Sequence, residues 1–444
     1  MGRGRKKLPD TPFEVEITGL GDGGLGLVEH DGRRLRVYDA LPGERVRARY
    51  LFGRAFRGKV ETLEVLDASP DRVAPRCPHF GVCSACSLQH ASVDAQLRHK
   101  QAALLARLGD AGVTPGAVYA PLVGEAWNYR RKARLSVRLV PAKGRVLVGF
   151  RERNGKFVAD MQECHVLRGE IGNALRELAQ LLGSLDCRGD IPQLEVACGD
   201  GCCALVLRHL VELSASDRLR LTEFEERTGI RFYLQSAGPD SVRPLLPGGA
   251  PLEYAANGLR FQFEPLDFVQ VNGALNREMI ARALELLDPQ PGEQVLDLFC
   301  GLGNFSLPLA TRAAGVIALE GSQAMVERGR DNAALNGLQN VEFRCADLYE
   351  ATAEGSPWGG AEFDKVLLDP PRTGAPELLP WIEKSGARKV LYVSCNPDTL
   401  ACDAGVLAGE LGFRLAGAGV MDMFPHTPHS EAIALFVRGE GPGP

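Results

Sequence analysis

Hydrophobic and polar positions change rhythm several times along this chain of 444 residues. From Phe13 to Val65 they alternate with a period near two and are broken every few residues by glycine, as in FEVEITGLGDGGLGLVEHDGRRLRVYDALPGERVRARY. That is the pattern of short strands closing into a small β-barrel. A proline-rich joint from Pro70 to Pro78 follows, then a helical stretch from about Val93 to Gly109, and residues 127–156 read as β-rich. Between 170 and 255, helical pattern (Leu175 to Leu182, Ala215 to Arg227) alternates with strand pattern (Leu194 to Leu207, Arg231 to Ser236), without a catalytic signal. From Gln294 the rhythm becomes strand, helix, strand, with strands expected at 294–299, 315–319, 341–345, 364–368, 389–394, 413–421 and 431–437. Seven strands, mostly separated by helices, indicate a doubly wound parallel sheet with an antiparallel finish. The expectation is a multidomain α/β protein with a barrel over 1–70, a β-rich central domain over 71–264 and a Rossmann-like domain over 265–444. The helical segment within 93–124 is expected to pack on the last of these.

Composition refines this picture. Apolar residues make up 45% and charged residues 24%, the proportions of a globular protein. The N-terminus, MGRGRKKLPD, is basic with no apolar stretch behind it, and no later run approaches the roughly 18 apolar residues of a membrane helix. A cytoplasmic monomer that does not engage a membrane is the expectation. Twelve cysteines without a secretory signal argue against a disulfide framework and leave thiols for metal, catalysis or packing.

The net charge of −5 hides an asymmetry, because the first 156 residues carry an excess of Lys and Arg and the remainder a larger excess of Asp and Glu. A basic first third suggests a polyanion footprint whose attraction weakens with salt. Between Arg45 and Val60, Arg45, Arg47, Arg49, Arg54, Arg57 and Lys59 meet no acid, and Tyr50, Phe52 and Phe56 are interleaved. Charge for phosphates and rings for bases suits single-stranded RNA, although a strand pair with one solvated face gives the same text. The segment resembles a TRAM domain, the small OB-like RNA-binding barrel of several RNA-modifying enzymes. A second run, residues 127–156, holds ten Lys/Arg and one acid, Glu152.

QVLDLFCGLGNFSLPLA places an apolar strand before a glycine turn (Gly301, Gly303) and a helix, letting a ligand approach the backbone closely. The next strand ends in Glu320, 23 residues beyond Asp297, about where an acid meets ribose hydroxyls, and the third ends in Asp347, suited to an adenine amino group. Without the GxGxxG spacing there is no pyrophosphate cradle, which favours S-adenosyl-L-methionine over a dinucleotide. A helix cap at Asp347 and a surface charge at Glu320 remain open readings.

LLDPPRTG puts Asp369 at a strand end in a turn fixed by Pro370 and Pro371, and LYVSCNP puts Cys395 at the next strand's end, so both loops should overhang that pocket. A lone cysteine there is usually packing. Its company differs here, because FPHTPHSE brings His426, His429 and Glu431 on a later loop and strand start. A thiolate adding to uracil C6 makes C5 nucleophilic toward a methyl sulfonium, and a base, for which Glu431 is the candidate, then removes the C5 proton so that the thiol can leave. The attacked base must leave its stack, which implies an extruded uridine.

FVQVN (268–272), DLFCGLGNF (297–305), LLDPPR (367–372), LYVSCNP (391–397) and MFPHTPHSE (423–431) resemble the motifs of the RNA uracil-C5 methyltransferase family. The resemblance covers nearly the whole chain. It implies Cys395 as nucleophile, Glu431 as base, and Gln270, Phe299, Asn304, Glu320, Asp347 and Asp369 as residues of the methyl-donor site, with a contact to uracil the other role open to Asp369.

Cys77, Cys83 and Cys86 are spaced C-x5-C-x2-C, and Cys164 follows much later. By spacing alone a 4Fe-4S cluster, a structural zinc and plain packing all stay open, with His79, His90 or His165 able to replace a thiolate. The resemblance implies a cluster, since the ribosomal-RNA branch of the family carries four such cysteines, and with the TRAM-like barrel it points to 23S rRNA as partner. Other readings are the same chemistry on tRNA or a different 23S uridine, a radical methylthiotransferase (which needs a C-x3-C-x2-C triad), an amino-group methyltransferase (which leaves Cys395 and Glu431 idle), and a non-catalytic rRNA-binding assembly factor.

Overall fold

The computed structural model describes residues 11–21, 23–52, 57–153, 155–349, 356 and 358–438; Arg54, Phe56 and the basic N-terminal stretch lie outside them. Strands β1 (Phe13–Glu16), β2 (Gly19–Gly21), β3 (Leu25–His30), β4 (Arg33–Tyr38), β5 (Arg45–Tyr50) and β6 (Lys59–Asp67) form one sheet in the order β1-β5-β6-β4-β3-β2. Its first and last members are joined by only two residues, so the sheet curls around Ile17, Val37, Val46, Ala48, Tyr50 and Val60. The period-two text produces this directly: in RVRARY, Val46, Ala48 and Tyr50 point inward and the three arginines outward.

After α1 (Val93–Asp110) comes a second sheet, ordered β12-β11-β10-β9-β7-β8. It is built from β7 (Lys132–Val140), β8 (Arg145–Gly149), β9 (Gln193–Cys198), β10 (Cys203–Arg208), β11 (Arg231–Gln235) and β12 (Arg243–Pro244). Helices α2 (Gly169–Gly172), α3 (Leu175–Ser184) and α4 (Ala215–Thr228) belong to the same region. The apolar run from Leu194 to Leu207 is a hairpin rather than one strand, turning at Gly199 to Cys202. Its register sets Cys198 opposite Cys203, and the two form a disulfide, against the expectation of free thiols. That expectation rested on compartment, whereas the pairing follows from strand register, which spacing does not reveal.

A hairpin of β13 (Leu252–Ala256) and β14 (Leu259–Phe263) leads through α5 (Gly273–Leu287) to the third sheet. Its strands are β15 (Gln294–Leu298), β16 (Gly315–Glu320), β17 (Val341–Cys345), β18 (Lys365–Leu368), β19 (Lys389–Ser394), β20 (Phe413–Met421) and β21 (Glu431–Arg438). They run in the order β17-β16-β15-β18-β19-β21-β20, parallel except for β21, which is antiparallel to both neighbours. Helices α6 (Ser306–Ala310), α7 (Gln323–Leu335), α8 (Leu379–Lys384) and α9 (Pro397–Gly409) complete it. The inner strands β15, β18 and β19 are almost wholly buried, as a sheet covered on both faces requires.

The segment 93–124 is helical only to Asp110. Gly112, at φ +74°, with Pro115 and Pro121, stops the helix, and the chain continues as a strap bridging to β20 at Val118–Ala418 and Leu122–Met421. Helix α1 itself packs on α9 and β20. Under the strap Gly417 has no room for a side chain, since a Cβ there would stand 2.3 Å from the ring of Tyr119. Gly417→Ala is therefore expected to lower the unfolding free energy by about 1–3 kcal/mol in a urea titration, the usual cost of overpacking. An unchanged midpoint would mean that Tyr119 lifts away freely.

Candidate active site

In an open α/β sheet, ligands bind beyond the C-terminal strand ends where the strand order reverses, here between β15 and β18. A cavity of about 630 Å³ opens there, lined among others by Gln270, Phe299, Glu320, Asp347, Asp369, Cys395 and Glu431. The turn after β15 is unusual: Phe299 holds φ +64°, a conformation a bulky residue rarely adopts, and Gly301 and Gly303 follow at +56° and +96°. Glu320 fastens this turn, accepting from the Gly301 amide at 3.1 Å and the Ser322 amide at 2.9 Å. Asp347 accepts from the Tyr349 amide at 2.9 Å. Beneath the turn, Asp297 is fully buried against the Ser306 hydroxyl at 2.5 Å, and burial pushes its carboxyl up to about 7.

One residue expected at this site does not line the cavity. Asn304, in the turn itself, exchanges amide hydrogen bonds of 2.9 Å with Asn276 of α5 and accepts from the Tyr254 hydroxyl at 2.8 Å. It ties the glycine turn to α5 and the β13–β14 hairpin instead. Residues singled out too late are Phe268, Met325, Tyr349 and above all Arg372, which also line the cavity. Arg372 closes the LLDPPR motif, and a cation in that Pro-Pro turn was the signal available.

At the reacting edge, three acidic protons compete. Burial pushes Asp369 up to about 7 and Glu431, 5% exposed, well above the carboxylate range; Asp369 adds to the latter and Arg372 opposes it. The Cys395 thiol is pushed up to about 11 by burial, with Glu431 and Asp369 adding and Arg372 opposing. Gln270 directs its amide toward Asp369 Oδ2 at 3.4 Å.

A second cavity, about 520 Å³, lies on the other side of the same sulfur. The barrel (Tyr38, Lys59), the cysteine loop (Ser84 to Ser87), α1 (His99, Arg107), Arg153 and the 427–430 loop enclose it, and it shares only Arg372 and Cys395 with the first cavity. Only a minority of the basic-run residues contribute to it. Arg45, Arg47 and Arg49 lie on the barrel's outer face and pair with Glu14, Asp67, Glu64 and Glu61, and Tyr50 is a core residue. In the second run, Arg131 is buried, with Nε donating to the Gln270 carbonyl at 2.7 Å, and Lys132 donates to the Pro265 carbonyl at 2.6 Å. These two brace the segment carrying Gln270. Lys59 and Arg153, which flank the Tyr38 ring at 5.5 and 5.1 Å, are the basic-run residues that do face the cleft.

Cys77, Cys83, Cys86 and Cys164 line one small cavity with His79 and His165. Burial raises all four thiols, Cys83 and Cys86 to about 12. Among the described residues no three His, Cys, Asp or Glu side chains gather tightly enough for a single metal ion, and a tetrahedral zinc would need sulfurs roughly 3.8 Å apart. His90 is buried outside this cavity.

A family model described as tRNA (Uracil-5-)-methyltransferase matches residues 251–438. A protein of Alkalilimnicola ehrlichii named 23S rRNA (uracil(1939)-C(5))-methyltransferase RlmD is 51% identical over 443 residues, covering 99% of each chain. One of the same name from Hahella chejuensis is 49% identical over 99% of this chain and 100% of its own length. Among solved structures, the tRNA (uracil-54, C5)-methyltransferase of Pyrococcus abyssi in complex with S-adenosyl-L-homocysteine shares the fold, with a TM-score of 0.72 and 23% identity over 96% of this chain and 100% of that one.

The elevated thiol generates a pH dependence. Only the thiolate alkylates, so the rate of iodoacetamide labelling of Cys395, followed by peptide mass spectrometry, should rise about tenfold per pH unit between pH 7 and 10. Arg372→Met should slow labelling at each pH by removing the cation that favours the thiolate. A rate that is flat above pH 8 would contradict the burial argument.

Proposed function

The chain belongs to the RNA uracil-C5 methyltransferase family, and on that premise we propose that it transfers a methyl group from S-adenosyl-L-methionine to C5 of one uridine of 23S rRNA, through a covalent adduct between Cys395 and C6. The uridine equivalent to position 1939, named for the relatives, is the target. The observation that carries the reading is that Cys395 borders both cavities, so one sulfur can meet an extruded base on one side while the methyl donor lies on the other. Acids at Glu320, Asp347, Asp369 and Glu431 suit a cationic sulfonium in the first cavity, and cations at Lys59, Arg153 and Arg372 suit RNA in the second.

Cys395 adds as a thiolate to C6, with Arg372 favouring its charge, and the electron pair released onto C5 attacks the methyl carbon. Glu431 then takes the C5 proton, the C5–H pair becomes the C5–C6 double bond, and the C6–S bond breaks to return the thiolate. Gln270, Phe299, Glu320 and Asp347 hold the donor, and Asp369 stands between donor and base. Residues 1–70 act as a TRAM-like RNA-binding barrel, 71–264 as a central RNA-binding domain and 265–444 as the catalytic domain of a cytoplasmic monomer. Among the described residues no helix is long and apolar enough to cross a membrane.

The four cavity-lining cysteines fit a 4Fe-4S cluster by their chemistry, an all-thiolate set drawn from two distant segments without a carboxylate among them. Such a cluster would cross-link those segments and fix the Ser84–Ser87 wall of the cleft. Anaerobic purification should yield iron and acid-labile sulfide in equal amounts with a broad visible absorption band, both lost in Cys164→Ala. Bound zinc, or no metal, would overturn this assignment.

The catalytic reading is tested with an rRNA fragment carrying 5-fluorouridine, which has no removable C5 proton. Wild-type protein and methyl donor should give a methylated protein–RNA complex stable to denaturing electrophoresis, and Cys395→Ala none. With ordinary RNA, Glu431→Gln should lower turnover by about 10²–10⁴-fold and accumulate the same methylated adduct. A Cys395→Ala variant that still methylates RNA would overturn the mechanism.

A further inference from the structure

Helix α1 presents a buried polar face to the loop that leads into β21. Gln96 and Lys100, one turn apart and each 1% exposed, point the same way. Gln96 accepts from the His426 amide through Oε1 at 2.8 Å, sets its own amide nitrogen 3.3 Å from His426 Nδ1, and donates to the carbonyls of Leu88 and Ala91 at 3.1 and 2.9 Å. Lys100 donates to Asp422 Oδ1 at 2.6 Å and to the Phe424 carbonyl at 3.1 Å. From the opposite side, the amides of Ser87 and Leu88 both donate to the His426 carbonyl, at 3.0 and 2.9 Å.

All these contacts converge on a backbone that would not adopt its shape unaided. His426 holds φ +65°, in the left-handed region that disfavours a residue with a side chain, so surrounding contacts must impose the turn. Five residues later the chain places the Glu431 carboxyl in the donor cavity, whereas Gln96 lines neither that cavity nor the cleft, which Lys100 does border.

We propose that Gln96 is a positioning residue for Glu431: by helping to impose the 422–426 turn it sets the reach of the Glu431 carboxylate to the C5 proton, and so acts on adduct resolution rather than on methyl transfer. The inference rests on the reading of Glu431 as base. In the step concerned, the C5–H bond breaks with its proton passing to Glu431, its electron pair forms the C5–C6 double bond, and the C6–S pair returns to Cys395.

The test is single-turnover kinetics of full-length Gln96→Met with methyl-labelled donor and an rRNA fragment, timing methyl transfer and adduct resolution separately, beside Glu431→Gln. Misplacement of a reacting group by about 1 Å costs on the order of 10²-fold. Resolution in Gln96→Met should therefore slow by about tenfold or more, with methyl transfer within about threefold of wild type and KM for the donor unchanged, so that methylated adduct accumulates. A purely structural role would slow both steps by the same factor, and that result, or no slowing, overturns the inference. Accumulation in Glu431→Gln without accumulation in Gln96→Met overturns the inference alone, and absence of accumulation in Glu431→Gln removes the base reading and the inference with it. Should Gln96→Met not fold, Gln96→Asn keeps the amide, shortens its reach by one methylene, and is read by the same two rates.

Discussion

A single sulfur has to face two environments of opposite charge. One side of Cys395 is a cavity walled by Glu320, Asp347, Asp369 and Glu431, and the other is a cleft edged by Lys59, Arg153 and Arg372. Only Arg372 and Cys395 belong to both, so the thiol borders an acid-lined cavity and a cleft with several basic residues. Burial alone would keep that thiol protonated, and neighbouring Glu431 and Asp369 push in the same direction. The Arg372 cation in the proline turn, together with a backbone hydrogen bond, works against that rise.

Meeting that requirement takes elements remote in sequence. The sheet edge supplies Asp369 and Cys395, the antiparallel last strand supplies Glu431, and the cleft's outer wall comes from the barrel and the cysteine loop. The sheet edge and the last strand share one core, whereas the barrel keeps its own and is joined to the rest by polar contacts. Arg72 pairs with fully buried Glu44 to hold the barrel, and Arg153 grips Asp39 through two hydrogen bonds of 2.7 Å. Lys100 and Asp422 pair with almost no exposure. Buried pairs of this kind contribute little net stability, because desolvation offsets their attraction. What they supply is a unique arrangement, since a displaced partner would leave a charge stranded in the interior.

The last sheet was legible because parallel strands covered on both faces must be mostly apolar, and VLDL, KVLL and LYVS each carry a single polar residue. The same rule located Asp369, Cys395 and Glu431, polar residues standing where apolar runs end. Spacing does not say which partners a side chain in the glycine turn will meet, and the hydrogen bonds of Asn304 to Tyr254 and Asn276 were not legible. The basic runs were harder. No acid falls between Arg45 and Val60, yet β1 and β6 bring Glu14, Glu61, Glu64 and Asp67 alongside Arg45, Arg47 and Arg49. Arg131 carries the same charge as its neighbours in NYRRK, and only burial separates a brace from a phosphate ligand. Cross-strand register and side-chain direction are set by tertiary contacts, and neither leaves a trace in composition.

The acid-rich wall of the donor cavity bears on timing as well as on binding. In the proposed reaction the donor enters as a sulfonium, and a cation within a few ångströms lowers the pKa of nearby acids. It therefore favours ionised Glu431 and Asp369 and thiolate at Cys395, against the burial that opposes all three. Methyl transfer turns that sulfonium into a neutral thioether, so the positive charge vanishes while the carboxylates stay buried together. Glu431 is left as an anion in a site that disfavours anions, and its basicity rises at the moment when the C5 proton has become the one to remove. A base placed in water would gain nothing from the same event, because screening would hold its pKa nearly constant. Burial of Glu431, which at first sight disables a carboxylate, thus couples its strength to the completion of the preceding step.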